Sequence, residues 1–237
     1  MEAFITKFTQ DFITDNRWKF ITKGLGITLE VTVFALIFGA IIGLLVGIVR
    51  CLHDQHSEGS ESKNILLSIL NMICKLYVTI IRGTPALVQL LIMYFIVMVS
   101  STSKVAVAVV TFSINSGAYV AEIFRGAIMY VDRGQMEGGR SLGLTTIQTM
   151  TRIIIPQAMK SCLPALVNEL ITLLKETSIC GYIGLNELTR GGDIIRGTTF
   201  DALLPLLAVA AIYLTLVLGI SGVMSKIEQK LRKGDLH

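Results

Sequence analysis

Leu25 to Val49 reads LGITLEVTVFALIFGAIIGLLVGIV, an apolar run whose only charged side chain is Glu30. About 20 mainly apolar residues suffice for a helix to cross a bilayer, so this stretch predicts a transmembrane helix. Within it Gly39, Gly43 and Gly47 recur every fourth residue, the spacing that lets two membrane helices pack closely. The rest of the chain agrees. Of its 237 residues 52% are hydrophobic and 16% charged, where soluble domains carry about 25% charged residues, and the mean hydropathy is +0.67. A soluble domain of this size would lack the polar side chains to cover so much apolar surface. The composition therefore selects an all-α membrane protein.

Outward from this first span, Ile65–Ile81 and Pro85–Ser100 flank the turn Arg82-Gly83-Thr84-Pro85. Two full spans joined by four residues would make a very tight hairpin, so a tilted or amphipathic approach helix followed by one span is expected. Pro85 fits a first helical turn and Arg82 can snorkel to the headgroups, a structural role. Lys104–Ala127, Pro164–Leu185 and Leu203–Met224 bring the expected total to about five spans.

Lys and Arg outside the spans set the orientation. With the C-terminus in the cytoplasm, 11 basic residues fall inside and 7 outside. The expected organisation is an extracytoplasmic N-terminal segment over residues 1–24, a transmembrane domain over 25–226 and a cytoplasmic tail over 227–237. The N-terminal segment lacks a signal-peptide core and cleavage site, so the first span should be retained. The Ser- and Glu-rich insert His53–Lys63 reads as a flexible cytoplasmic loop. A net charge of +4, with basic residues scattered, gives no nucleic-acid footprint. Cys51, Cys74, Cys162 and Cys180 show no metal-ligand spacing and read as small buried thiols.

Between the third and fourth spans lies a polar stretch of about 35 residues. It contains Glu137-Gly138-Gly139-Arg140-Ser141-Leu142-Gly143, then nine residues, then Ile153-Ile154-Ile155-Pro156. A short helix over about Asp132–Leu142, ended by Gly143, is expected here, and Pro156 limits how the next helix begins. The stretch resembles the EAA loop of ABC-importer permeases: Glu-Ala-Ala, three residues, Gly, nine residues, Ile-x-Leu-Pro. Every spacing matches. Gly138 and Gly139 replace the alanines and Ile155 the leucine. Each glycine costs about 1 kcal/mol in a helix interior, so a looser helix is expected. Further stretches look like the polar amino-acid branch of the same family, among them Arg82–Gln89, Asn115–Gly126, Pro164–Glu169, Leu174–Ser178 and Ile183–Leu188. Roughly Gly24 to Lys230 is covered.

The resemblance implies a multi-pass subunit of a bacterial cytoplasmic membrane importer of polar amino acids, with its N-terminus outside and its C-terminus inside. Gln135, Glu137, Gly138, Gly139, Arg140, Gly143 and Pro156 would then be the ATPase-coupling residues. The implied partners are two copies of an ABC ATPase, a second permease, identical or related, an extracytoplasmic substrate-binding protein and membrane lipid. The chain has no G-x-x-x-x-G-K-[ST] stretch, so ATP and Mg belong to the partner ATPase. A secondary transporter or channel driven by an ion gradient is the alternative, but no inverted repeat supports it.

Polar groups at membrane depth are candidates for a path. Glu30 or Glu169 offers an acceptor for an amino acid's ammonium, with Asn115, Ser116, Asn168 and Thr172 around it. Equally, these residues serve helix packing while selectivity lies in the binding protein. Asn168, Thr172 and Lys175 share one helical face. Glu122 and Arg125, three residues apart, are expected to form a structural ion pair.

Overall fold

The computed structural model describes residues 2–59 and 65–234. The helices, in chain order, are α1 (Glu2–Phe8), α2 (Trp18–Gly59), α3 (Ile65–Gly83), α4 (Ala86–Ile92), α5 (Lys104–Tyr130), α6 (Arg133–Ser141), α7 (Thr146–Thr149), α8 (Ile155–Glu176), α9 (Leu188–Thr199) and α10 (Leu203–Gly234). No strand occurs among the described residues. The chain is all-α, as its composition predicts.

Among the described residues, four helical stretches are long and apolar enough to cross a membrane: Trp18–Asp54, Ile65–Gly83, Lys104–Tyr130 and Leu203–Lys230. Three sequence expectations change. The stretch taken as the second span is helical only over Ala86–Val97, about 18 Å at 1.5 Å per residue, which is short of a roughly 30 Å hydrocarbon core. The stretch taken as an approach helix, Ile65–Gly83, has the length to cross. The insert His53–Lys63 begins as helix, because α2 continues to Gly59; the rest of it, residues 60–63, lies outside the described residues, as do residues 235–237 of the expected tail. Finally, the expected span Pro164–Leu185 is the end of α8 followed by a tighter 3-10 turn, Thr177–Ile183, which stops at Gly184 with φ 70°.

The chain divides into two compact units. One comprises Met1–Leu36, Ala86–Phe112 and Leu170–Val223; the other comprises Ile37–Pro85, Ser113–Glu169 and Met224–His237. In the first, Val31 and Ala35 of α2 pack with Leu90, Ala108, Phe112 and Leu173. A second core gathers Phe12, Ile21, Leu188, Ile195 and Val209. There α9 lies close on α2: a Cβ on Gly191 would stand 2.5 Å from the Phe20 carbonyl oxygen, and one on Gly24 2.6 Å from that of Glu187.

The second unit holds the glycine seam. A Cβ on Gly39 would meet Ser116 Cβ at 3.0 Å, one on Gly43 Val120 Cγ1 at 2.5 Å, and one on Gly47 Phe124 Cβ at 3.4 Å. Both partners advance by four residues together, so α2 and α5 run in the same direction. The seam is what the four-residue glycine spacing predicted. Tyr77 of α3 joins it, donating a hydrogen bond from its hydroxyl to the Ile114 carbonyl at 2.6 Å.

Candidate functional site

Beyond the end of α5 the chain turns into α6, and local chemistry fixes both ends of that helix. Asp132 is the N-cap, its carboxylate accepting from the Gly134 N–H at 2.6 Å. At the other end the Leu142, Gly143 and Leu144 N–H groups return to the carbonyls of Gly138, Arg140 and Gly139 at 3.0 to 3.2 Å. Gly143 has φ 83°, in the left-handed region where a side chain is strained. Thr145 and Gln148 then form a reciprocal capping box for α7, with bonds of 3.2 and 2.9 Å. A wide turn, Met150–Ile154, leads into α8, where Pro156 occupies the second position. A missing N–H is harmless there.

The two glycines in place of alanines sit differently. Gly138 is open, with no atom within 4 Å of a built Cβ. Gly139 is buried, and its Cβ would lie 2.5 Å from Thr149 Cγ2 and 3.2 Å from Ile153 Cδ1. Gly139 therefore lets α6 clasp the following turn closely, while each glycine keeps its helix-propensity cost. Arg140 hydrogen-bonds Thr146 across the Gly143 turn, and the Gln157 side chain donates to Gln135 at 3.3 Å. Gln135, Glu137 and Arg140 are exposed. So are two apolar residues that the sequence reading passed over, Leu142 at 83% and Ile147 at 74%. Their signal was there to find: large apolar side chains within a polar stretch.

Just before this loop an ion-pair cluster ties three helices. Glu122 of α5 pairs with Arg50 of α2, and Arg82 of α3 approaches its other oxygen at 3.7 Å. The Arg82 guanidinium lies 5.2 Å from the Tyr119 ring centre. Arg125 pairs with Asp54 of α2 at 3.1 Å. The expected Glu122–Arg125 pair is thus replaced by two bridges between helices. Arg82 is engaged with protein rather than snorkelling.

The proposed path residues separate by exposure. Asn115 and Ser116 are buried in α5, at 3% and 0%, and Ser116 faces Gly39 in the seam. Glu169 of α8 is also buried. Asn168, Thr172 and Lys175 are all exposed on α8, the common face that their spacing predicted, and Glu30 is exposed on α2. Glu30 and Thr172 belong to the first unit, and the other four to the second.

Glu187, within the quoted stretch Ile183–Leu188 but not singled out there, is a tightly held carboxylate in the segment between α8 and α9. It is 1% exposed and caps α9, accepting from the Thr189 and Arg190 N–H groups at 2.7 Å each. Tyr213 of α10 donates its hydroxyl at 3.4 Å. Burial pushes the Glu187 carboxyl upward, and the two N–H groups pull against that shift. Beside it, Thr28 accepts from the Leu188 N–H at 3.1 Å. Among the described residues no group of His, Cys, Asp or Glu converges as a metal site.

Membrane-length helices, a polar face on α8 and a rigid capped helix outside the spans define a membrane permease component. Residues 64–233 match the family described as binding-protein-dependent transport system inner membrane component, and the chain belongs to that family. It is 38% identical over 235 residues to the putative glutamine transport system permease protein GlnP of Rickettsia bellii, covering 98% of this chain and 99% of the relative. With the glutamine transport system permease protein GlnP of Escherichia coli K12 it shares 38% over 168 residues, covering 69% and 77%. A crystal structure of an amino acid ABC transporter with histidines superposes with a TM-score of 0.81 at 36% identity, covering 92% of this chain and 98% of that one. The inward-facing MetNI methionine ABC transporter, at 23% identity and a TM-score of 0.75, shares the fold. The chain is a permease of an ATP-driven importer, and the reading as an ion-gradient carrier or channel gives way to it.

Proposed function

We propose that this chain forms the path through which an ABC importer takes up a polar amino acid, with glutamine the first substrate to test because the relatives' names specify it. Residues 25–226 are the permease domain and 132–156 its cytoplasmic coupling loop. Residues 1–24 lie outside the cell membrane and 227–237 in the cytoplasm. The chain pairs with a second permease, identical or related, and each docks α6 on one of two ATPase subunits, which bind ATP and Mg. A substrate-binding protein delivers the amino acid from outside.

One observation carries the reading: α6 is capped at both ends and stopped by Gly143 at φ 83°, and the loop that holds exposed Glu137 also displays exposed Leu142 at its end and Ile147 on α7. Apolar side chains held rigidly beyond the bilayer suit a partner's groove. Gln135 and Arg140 serve its polar edge, Gly138 permits close approach, and Gly139 and Pro156 set how the helix is held. For the path, exposed Glu30, Asn168 and Thr172 support a lining role, because polar groups at membrane depth face cavities or interfaces. Asn115, Ser116 and Glu169, buried in α5 and α8, complete the proposed set.

The test uses the assembled transporter in proteoliposomes with its binding protein and a panel of amino acids. Gly143→Val and Leu142→Glu are expected to abolish glutamine uptake and its stimulation of ATP hydrolysis while leaving membrane levels normal. Normal coupling in both variants overturns the docking assignment. Uptake of another amino acid in preference to glutamine overturns the substrate alone.

A further inference from the structure

The outer face of the N-terminal segment is left without a role by the transport reading. In α1 and the turns after it, Phe12 points into the core, while Phe4, Ile5, Phe8 and Ile13 stand 44 to 59% exposed. The rings of Phe4, Phe8 and Phe12 form a ladder with centres 6.4 and 5.0 Å apart. Trp18 and Phe20, opening α2, are 44 and 42% exposed. So short a segment would not present this much apolar surface to water.

A second observation comes from the turn between α9 and α10. Phe200 there is 94% exposed and holds φ 58°, a conformation that disfavours a bulky side chain. Lys7 Nζ lies 3.2 Å from Asp201 Oδ2 and ties α1 to this turn. The same unit thus displays the aromatics of both elements, linked by an ion pair. Basic residues accompany them: Lys19 Nζ is 5.9 Å from the Trp18 ring centre, and Lys23 is exposed. Aromatic rings with lysines beside them are the composition of a membrane–water interface.

We propose that residues 2–23, together with Phe200, form an interfacial anchor lying at the headgroup–acyl boundary of a phospholipid bilayer. The surface is continuous with the lipid-facing sides of α2 and α10, on which Val33, Phe34, Leu206 and Leu207 are exposed. Its depth agrees with the length of α2. Trp18 and Arg50 lie in one helix, about 48 Å apart at 1.5 Å per residue, and a bilayer with its headgroups is about 40–45 Å thick. At a tilt of roughly 20°, Arg50 at one headgroup layer places Trp18 at the other. The anchor needs only that α2 and α10 span the membrane, whichever compartment holds the N-terminus.

A photoreactive benzoylphenylalanine placed at Phe8 or at Phe200 in the assembled transporter, illuminated in native membranes, is expected to crosslink to phospholipid. Crosslinks to a second permease or to another polypeptide, or no product at either position, overturn the proposal. Trp18 is the only tryptophan, so the full chain reconstituted in phosphatidylcholine provides an independent readout. Acyl chains brominated near the headgroup should remove most of its emission and acrylamide little. The reverse pattern overturns the anchor.

Discussion

A Cβ built on Gly139 would stand 2.5 Å from a buried Thr149, whereas one on Gly138 meets nothing within 4 Å. Gly138→Ala should therefore stabilise α6 by up to about 1 kcal/mol through helix propensity. Gly139→Ala should lose about 1–3 kcal/mol to overpacking, partly offset by the same propensity gain. Thermal unfolding of the purified transporter measures both; equal effects would mean that the clasp gives way freely. At Glu187, burial raises the folded carboxyl above its ordinary range, so the folded state holds the proton more tightly than the unfolded one. Stability from this group is then complete below the ordinary carboxylate range and is lost as pH rises through the raised value. The neutral variant Glu187→Gln should gain on the wild type as pH rises. A variant that instead loses ground to the wild type as pH rises would show that the two capping N–H groups outweigh burial. Its cap over Thr189 and Arg190 is local, but the burial and the Tyr213 hydroxyl that hold it come from far away along the chain, where sequence spacing gives no hint.

At the scale of elements, punctuation that acts locally could be read and pairing at long range could not. Asp132 and Gly143 bound α6 within a residue or so of the expectation, since a cap and a left-handed stop depend on neighbours only. Glu122 was paired with Arg125 by helical spacing, yet its partners lie on α2 and α3. An i,i+3 pair on one helix is weak, and a bridge from a neighbouring helix displaces it. The glycine seam was legible as a close-packing face but its partner was not, since many helices present small residues. Gly43→Val should weaken the α2–α5 contact by about 1–3 kcal/mol, because its built Cβ lies 2.5 Å from Val120. Gly26→Val, at an open position, is the matched control. Equal yields of folded, detergent-stable protein from the two would refute the seam.

For the whole molecule, the same-direction run of α2 and α5 has a consequence for sidedness. The ends carrying Arg50 and Asp54 on α2, and Glu122 and Arg125 on α5, are bonded together, so the segments that follow open into one compartment. An epitope inserted between Gly59 and Ile65 is expected to share the compartment of α6, and antibody access in intact against permeabilised cells reads this out. Opposite accessibility of the two loops would contradict the parallel arrangement. The first, third and last spans, the short loop helix and the membrane class were visible in composition and spacing, while which of Ile65–Gly83 and Ala86–Val97 has the length to cross was not. The register of α2 and α5 makes the α2–α3 insert a reporter at a distance: a tag there reveals which face of the membrane α6 lies on while leaving every residue of α6 untouched.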